Sequence, residues 1–141
     1  SGAQFIKHMD PIFKKIKRAD RGIIVFKMSG HHKENEYCRK AVAEEVVGCD
    51  KEIIESDQRM ASFLGVYNCA ASLDIIKKWL DLCTKDDEFS VFKDHRHDQS
   101  LLSLLSKKLN LETATDVSQW GLIHKQTTEE DYFINHHRNK Q

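Results

Sequence analysis

The chain has 141 residues, and its 22 lysines and arginines balance its 22 aspartates and glutamates, so the formal net charge is zero. A zero net charge argues against nonspecific binding to nucleic acid, which depends on a basic excess, so we expect no nucleic-acid partner. The apolar runs are too short to cross a bilayer, so we expect no transmembrane segment. The length suits one domain with a modest core.

The four cysteines indicate a reducing compartment. Cys38, Cys49, Cys69 and Cys83 are separated by 11, 20 and 14 residues, and none of them forms a CxxC pair. This spacing does not support a zinc site and favours reduced, partly buried thiols. Because no secretory signal is visible either, we expect a cytoplasmic protein.

The first half of the chain predicts helices that alternate with a short strand. Asp10 is a helix N-cap, followed by proline at the first helical position, and this helix ends near Ala19. The continuous apolar run 23–26 predicts a buried strand. Residues 34–47 have a helical pattern that ends at Gly48, a suitable C-cap.

The second half predicts a strand, two helices and an extended piece. Residues 61–67 form the strand, and Ser72 then caps a strongly amphipathic helix. A leucine-rich helix spans about residues 98–109, and an extended piece follows at 112–115. The apolar face of the amphipathic helix comprises Leu73, Ile76, Trp79, Leu80 and Cys83.

Together these elements predict an α/β fold, a small layered domain with short buried strands and several amphipathic helices. We expect one domain at residues 1–126. Residues 127–141 are polar and predict a mobile C-terminal tail.

The densest group of ionisable and polar side chains lies at 95–99, directly before the leucine-rich helix. Free backbone N–H groups and the helix dipole favour anions at such a helix start. In a structural interpretation Asp98 only caps the helix, and the histidines are solvated. In a ligand-site interpretation Asp98 accepts sugar hydroxyls or acts as a base, and Gln99 both donates and accepts hydrogen bonds. The side chains that meet phosphate or metal-bound phosphate would then be His95, Arg96 and His97.

Other polar positions also stay open between two interpretations. Asp57 and Gln58 form a pair at the entrance of the second strand, which favours a loop. Trp120, which is followed by glycine, either closes the core or stacks on the face of a sugar. The histidine pairs at 31–32 and 136–137 are expected at the surface.

Six segments carry a resemblance to a known family: 10–13, 22–26, 35–40, 58–67, 76–83 and 95–105. In this order they resemble the C-terminal half of nucleotide-sugar glycosyltransferases of the A-type fold, especially those that make capsular, lipopolysaccharide or viral surface glycans. The resemblance spans about residues 5–121. Its most specific part is the block HRHDQS at 95–100.

The resemblance implies transfer of a sugar from a nucleotide sugar to a glycan acceptor hydroxyl. Asp98 and Gln99 would face the transferred sugar as catalytic residues. The further substrate-binding residues would be Ala61 and Ser62, on the strand beneath the sugar pocket, together with Arg96 and Trp120. The residues that approach the metal or the diphosphate would be His95 and His97.

One part of the family pattern is missing. Such enzymes carry an N-terminal nucleotide-binding half, in which an Asp-x-Asp motif holds a divalent metal, here expected to be Mn²⁺ or Mg²⁺, on the diphosphate. This chain has no Asp-x-Asp, and the segment 55–57 (ESD) has a similar spacing but follows too far after the first strand. We therefore expect a missing N-terminal half, a partner chain or a degenerate relative.

Three hypotheses about function follow. The first is a glycosyltransferase-like domain, incomplete without a donor-binding half. The second is a non-catalytic binding or assembly module, which predicts an exposed apolar face. The third is a histidine-based metal protein, in which His95 and His97 need a third ligand from elsewhere.

Overall fold

The computed structural model describes residues 2–28, 30–86, 96–120 and 132–137. They form an α/β domain with two three-stranded sheets. The elements in chain order are β1 (Gly2–Phe5), α1 (Asp10–Arg18), β2 (Ile23–Lys27), α2 (Glu34–Tyr37), α3 (Lys40–Val47), α4 (Lys51–Ile54), β3 (Arg59–Val66), α5 (Ala70–Asp86), α6 (His97–Lys108), β4 (Glu112–Ala114), β5 (Ser118–Trp120) and β6 (Ile134–His137).

The central sheet has the strand order β3-β2-β4. The middle strand β2 is antiparallel to β3 and parallel to β4. Ile24 and Phe26 belong to a cluster with residues of α1 and of the second sheet, whereas Ile23 and Val25 pack with residues of α5 and α6. Both faces of β2 are therefore covered, which is why its sequence is continuously apolar rather than alternating. The predicted buried strand is confirmed.

The second sheet has the order β1-β6-β5, and it includes residues that we expected in a mobile tail. Strand β6 pairs antiparallel with β1 and parallel with β5. The side chain of Ile134 is buried in the same cluster as Phe26. Pairing on both sides and an apolar anchor hold residues 134–137 in the fold, so this segment differs from the expected tail.

Helix α6 is buried on three sides. Leu102 packs towards the central sheet, and Leu101 and Leu104 pack towards α3. The helix ends at Lys108, and Asn110 reverses the chain just after it with a positive φ of 51°, which asparagine tolerates. Leu111 N then donates a hydrogen bond of 2.8 Å to the carbonyl oxygen of Ser106. The predicted leucine helix is confirmed, since it spans His97–Lys108.

The predicted capping residues are wrong in three places. The N-cap of α6 is Arg96, so Asp98 lies inside the first turn and caps nothing. The N-cap of α1 is Met9, and Asp10 is the first helical residue, where its charge still favours the helix dipole. Helix α5 begins at Ala70, and the hydroxyl of Ser72 accepts a hydrogen bond from Cys69 N inside the first turn.

The single helix expected at residues 34–47 is two helices. Cys38 and Arg39 both adopt extended backbone angles, which separates α2 from α3. The carbonyl oxygen of Tyr37 accepts hydrogen bonds from Arg96 N and from the hydroxyl of Ser100. These contacts with α6 replace the local hydrogen bonds that would have continued α2. Gly48, with φ of 70°, ends α3 as predicted.

No helix in the described part of the chain is long and apolar enough to cross a membrane.

Candidate functional site

The candidate site lies at the carboxyl end of β2. Because β3 runs antiparallel to β2, its first residue, Arg59, pairs with Lys27 at the end of β2. The N-terminus of α6 reaches the same edge, where Arg96 and Gln99 both contact Met28, the residue after β2. Ligands of open α/β sheets characteristically bind outside the carboxyl ends of parallel strands, and here β2 is parallel to β4.

Arg96 is held in place before α6. Its backbone N–H donates to the carbonyl oxygen of Tyr37 at 3.0 Å, and its guanidinium carbon lies 3.8 Å from the centroid of the Tyr37 ring. The guanidinium also lies 3.7 Å from the sulfur of Met28. The rings of His32 and Tyr37 pack in a T-shaped arrangement with centroids 5.3 Å apart. A cation stacked in this way is oriented before any anion arrives.

Asp98 and Gln99 occupy different surroundings although they are adjacent. The Asp98 side chain is exposed, and its backbone carbonyl accepts a hydrogen bond of 2.9 Å from the indole N–H of Trp79. That bond fixes the start of α6 against α5. Gln99 is partly buried, and its Nε2 lies 3.1 Å from Gln58 Oε1 and 3.3 Å from the Met28 sulfur. Gln99 is thus anchored, while Asp98 remains accessible.

Of the two predicted histidine ligands, only His97 lies within the described residues. His95 lies outside the described residues. His97 is exposed and has an unusual φ of 21° for a residue other than glycine. No group of three or more His, Cys, Asp or Glu side chains suited to a metal occurs within the ranges that the structure describes.

The remaining predicted substrate residues lie in other surroundings. Ala61 packs against the cluster formed by Ile23 and Leu102, so it contributes to the core. Ser62 is accessible, and its hydroxyl lies 3.7 Å from the sulfur of Met60. Trp120 is the last residue of β5 and pairs through its backbone with His136. The structure therefore brings together Arg96, Asp98 and Gln99 at one helix start, and it gives β3 mainly a structural role.

A buried polar network beneath this helix start was missed at the level of sequence. Glu34 is 0% exposed and Gln58 is 1% exposed. Lys107 Nζ lies 2.6 Å from Glu34 Oε1, 2.8 Å from Ser56 Oγ and 2.8 Å from the carbonyl oxygen of Asp57. Gln58 Nε2 lies 3.0 Å from Glu34 Oε2. Gln58 therefore lies in the connecting segment before β3, as predicted, but its side chain is buried rather than solvated.

A stripe of fully buried serines on α6 completes the network. Ser100 accepts a hydrogen bond from Gln58 Nε2 at 3.0 Å, Ser103 accepts from Arg59 N at 2.7 Å, and Ser106 accepts from Arg59 Nη1 at 2.9 Å. The Ser103 hydroxyl also donates to Glu34. The sequence signal for this stripe was the serine at every third position of residues 100–106, a spacing that places all three on one helix face.

Burial shifts the pKa values of the two cations in this network. Removal from water lowers the pKa of Lys107, and the negative charge of Glu34 opposes that effect. Burial also lowers the pKa of Arg59, again opposed by Glu34. One carboxylate thus faces two partly buried cations, an arrangement that satisfies it and keeps it from binding a ligand.

In the segment 55–57, Ser56 and Asp57 contact lysine side chains. Asp57 Oδ1 lies 3.2 Å from Lys33 Nζ, and the hydrogen bond from Lys33 is the main reason why the pKa of Asp57 falls below its ordinary value. The hydroxyl of Ser56 donates to the carbonyl oxygen of Ile53 and accepts from Lys107. These oxygens of Ser56 and Asp57 already face cationic donors, and no group of three or more metal-ligating side chains includes them in the described part of the chain.

Comparison with known proteins identifies no relative. No family model matches the chain, and no curated protein or solved structure matches it. A stacked guanidinium at the positive end of a helix dipole suits an anion such as a phosphate, and an anchored amide beside it suits a hydroxyl-bearing group.

Proposed function

We propose that this chain is a glycosyltransferase-like domain that contacts a nucleotide sugar at the start of α6 and assists transfer of its sugar to a glycan hydroxyl. The observation that carries the proposal is the convergence of Arg96 and Gln99 on Met28 at the carboxyl end of β2. A nucleotide sugar presents a diphosphate next to a polyhydroxylated ring, which matches a cation placed next to an amide.

The proposed roles follow from charge and exposure. Arg96 attracts the diphosphate, on which negative charge grows as the bond between the anomeric carbon and the phosphate oxygen breaks. The electron pair of that bond leaves with the diphosphate, and the acceptor oxygen forms the new bond to the anomeric carbon. The exposed carboxylate of Asp98 accepts the acceptor proton, and Gln99 orients a sugar hydroxyl. A separate donor-binding half or partner chain and a cytoplasmic location remain parts of this proposal.

The test is nucleotide-sugar binding measured by ligand-observed NMR. The panel contains UDP-, GDP- and dTDP-sugars, with and without Mn²⁺, and it is applied to the wild type, Arg96→Ala and Gln99→Ala. We expect binding that weakens about tenfold to 150-fold in Arg96→Ala and less in Gln99→Ala, as for lost charged and neutral hydrogen bonds. The matched control is Asp81→Ala, an exposed substitution on α5, which should bind like the wild type. Absence of binding to every member of the panel contradicts the proposal for this chain.

Catalysis itself needs a second measurement. Asp98→Ala should retain nucleotide-sugar binding but lose transfer to a glycan acceptor when the chain is supplied with its donor-binding partner. Unchanged transfer would remove Asp98 from the proposed mechanism.

A second candidate function, a non-catalytic assembly module, is favoured by exposed apolar side chains. Leu73 and Leu80 lie seven residues apart on α5 and are 56% and 62% exposed. Residues at this spacing share one helix face, so together they offer an apolar contact surface. Sedimentation velocity tests this candidate: Leu73→Asp with Leu80→Asp should abolish any self-association, and a wild type that is monomeric at all concentrations contradicts self-assembly.

A further inference from the structure

The amide of Gln58 has three hydrogen-bond partners and almost no contact with solvent. Its Nε2 lies 3.0 Å from Glu34 Oε2 and 3.0 Å from Ser100 Oγ, and its Oε1 lies 3.1 Å from Gln99 Nε2. With 1% of its surface exposed, Gln58 cannot replace one of these partners by water without opening the core. Its amide orientation is therefore decided by what those partners can donate or accept.

Glu34 imposes the orientation of Gln58. Lys107 and Ser103 both donate to Glu34 Oε1, and an ionised carboxylate only accepts hydrogen bonds, so Oε2 requires a donor from Gln58. Ser100 gives its single hydroxyl proton to the carbonyl oxygen of Tyr37 at 2.9 Å and can only accept from Gln58. Both N–H groups of Gln58 consequently point inward, and its carbonyl oxygen points to Gln99.

The orientation of the Gln99 amide follows from its hydrogen-bond partners in the same way. One N–H of Gln99 donates to Gln58 Oε1, and Nε2 also lies 3.3 Å from the sulfur of Met28, a weak acceptor. No residue in the described ranges donates a hydrogen bond to the carbonyl oxygen of Gln99. The partly exposed end of this amide therefore offers an acceptor next to Arg96.

We propose that Glu34 and Gln58 are positioning residues that hold the Gln99 carbonyl oxygen towards the ligand, so that the site selects a ligand hydroxyl that donates a hydrogen bond. The assignment of that hydroxyl to a sugar rests on the proposed function, whereas the amide orientation does not. A ligand group that only accepts hydrogen bonds, such as a fluorine or an ether oxygen, meets an oxygen with no proton at this position and is rejected.

The substitution Glu34→Gln tests this series of hydrogen bonds from Glu34 through Gln58 to Gln99. It replaces the carboxylate oxygen that faces Gln58 by an NH₂ group. Lys107 can only donate, so the new amide keeps its oxygen towards Lys107 and presents its NH₂ group to Gln58. Two donors cannot face each other, so the Gln58 amide turns over and presents its NH₂ group to Gln99. The hydroxyl of Ser100 then rotates to donate to the Gln58 oxygen, and the carbonyl oxygen of Tyr37 keeps its hydrogen bond from Arg96 N. Gln99 then turns over as well, which places its own NH₂ group towards the solvent.

The measurement is hydrogen exchange of the Gln99 side-chain amide by NMR on the ¹⁵N-labelled full chain. The resonance is assigned by its loss in Gln99→Ala. We expect exchange to be about fivefold to tenfold faster in Glu34→Gln than in the wild type, because the Gln99 N–H groups lose their protein acceptors. The matched control is Glu36→Gln, the same substitution at an exposed position of α2, which leaves the carboxylate of Glu34 facing Gln58. The control should keep the exchange rate of the wild type, and equal rates in wild type and Glu34→Gln overturn the proposal.

Binding of UDP-glucose and its analogues supplies the second measurement. Each analogue has one sugar hydroxyl replaced by fluorine (deoxyfluoro) or by hydrogen (deoxy). At the sugar position that contacts Gln99, the fluoro analogue should bind the wild type as weakly as the deoxy analogue, because fluorine cannot donate a hydrogen bond to the Gln99 carbonyl oxygen. In Glu34→Gln the fluoro analogue should bind better than the deoxy analogue. Fluoro analogues that all bind the wild type like UDP-glucose overturn the hydroxyl selection. Failure of every nucleotide sugar to bind overturns the proposed function, while the exchange rates still decide the amide orientation.

Discussion

Helix α6 has two kinds of buried face, and they are buried by different forces. On one kind, Leu101, Leu102 and Leu104 pack against the central sheet and α3. On the other, the serines at 100, 103 and 106 are fully buried and each meets at least one hydrogen-bond partner from another element. Leucine packing is non-directional, whereas the serine face accepts only one set of donors and acceptors.

This difference explains how the candidate site is positioned. Apolar packing alone would let α6 slide or rotate by a small amount at little cost, because leucines fill space adaptably. Hydrogen bonds from Gln58 and Arg59 to the serine face fix the rotation and the register of the helix. Since Arg96 and Gln99 lie at the N-terminus of that helix, the serine face sets where they meet Met28.

The largest expected effect comes from Lys107→Met on the serine face. This change leaves the carboxylate of Glu34, which is 0% exposed, without its cation. Breaking a buried pair in this way costs about 3–5 kcal/mol of the free energy of unfolding, which urea denaturation measures. Lys108→Met, an exposed neighbour, is the control and should change stability little. A loss below about 1 kcal/mol would mean that the pair is solvated, as surface pairs are.

The second largest loss of stability is expected from Leu104→Ala, which disrupts the leucine face of α6. Leu104 is 0% exposed and packs between α6 and α3, so truncation leaves a cavity. The expected loss in the free energy of unfolding is about 2–5 kcal/mol in the same urea experiment. Leu80→Ala, at a position 62% exposed, should change it by less than about 0.5 kcal/mol. Similar losses at both positions would contradict the assigned packing.

Ser103→Ala sharpens the comparison because it removes one hydroxyl and almost no volume. Arg59 N then loses its acceptor, and Glu34 loses one donor. We expect a loss of about 1–3 kcal/mol in the free energy of unfolding by urea denaturation, the cost of leaving buried polar groups unsatisfied. Ser62→Ala, on an accessible side chain of β3, is the comparison substitution. If both serines gave the same small change, the serine face would have no directional role.

The smallest effect is expected from pH at Asp57, where the network reaches the surface. The hydrogen bond from Lys33 holds the pKa of Asp57 below its ordinary value of 3.8, so the folded protein keeps this carboxylate charged to lower pH than the unfolded chain does. Its contribution to stability is present above pH 3.8 and is lost as the pH falls through the folded-state pKa. Asp57→Asn should therefore flatten the acid limb of the stability curve slightly. An acid limb identical to that of the wild type would show that the pair contributes nothing.

The elements were largely predictable, but their exact ends were not. The apolar run of β2 and the leucine spacing of α6 both predict the observed elements, because periodicity follows directly from which faces are buried. Cys38 and Arg39 carry no local signal for a break, since the carbonyl oxygen of Tyr37 is drawn to Arg96 and Ser100 from a distant helix. The same limit applies to residues 134–137, whose polar sequence becomes a strand only through pairing with β1 and β5.

The sequence by itself determined the α/β pattern, the buried middle strand and the concentration of polar groups before the leucine helix. Local composition and spacing are sufficient for these features. Only the tertiary structure decided which polar groups are functional candidates and which support the fold. Glu34 is 24 residues from Gln58 and 73 residues from Lys107 along the chain. Only folding brings their complementary donors and acceptors within hydrogen-bond distance. Hydrogen bonding between such distant residues has no period in sequence, so it is decided by the three-dimensional arrangement of the chain.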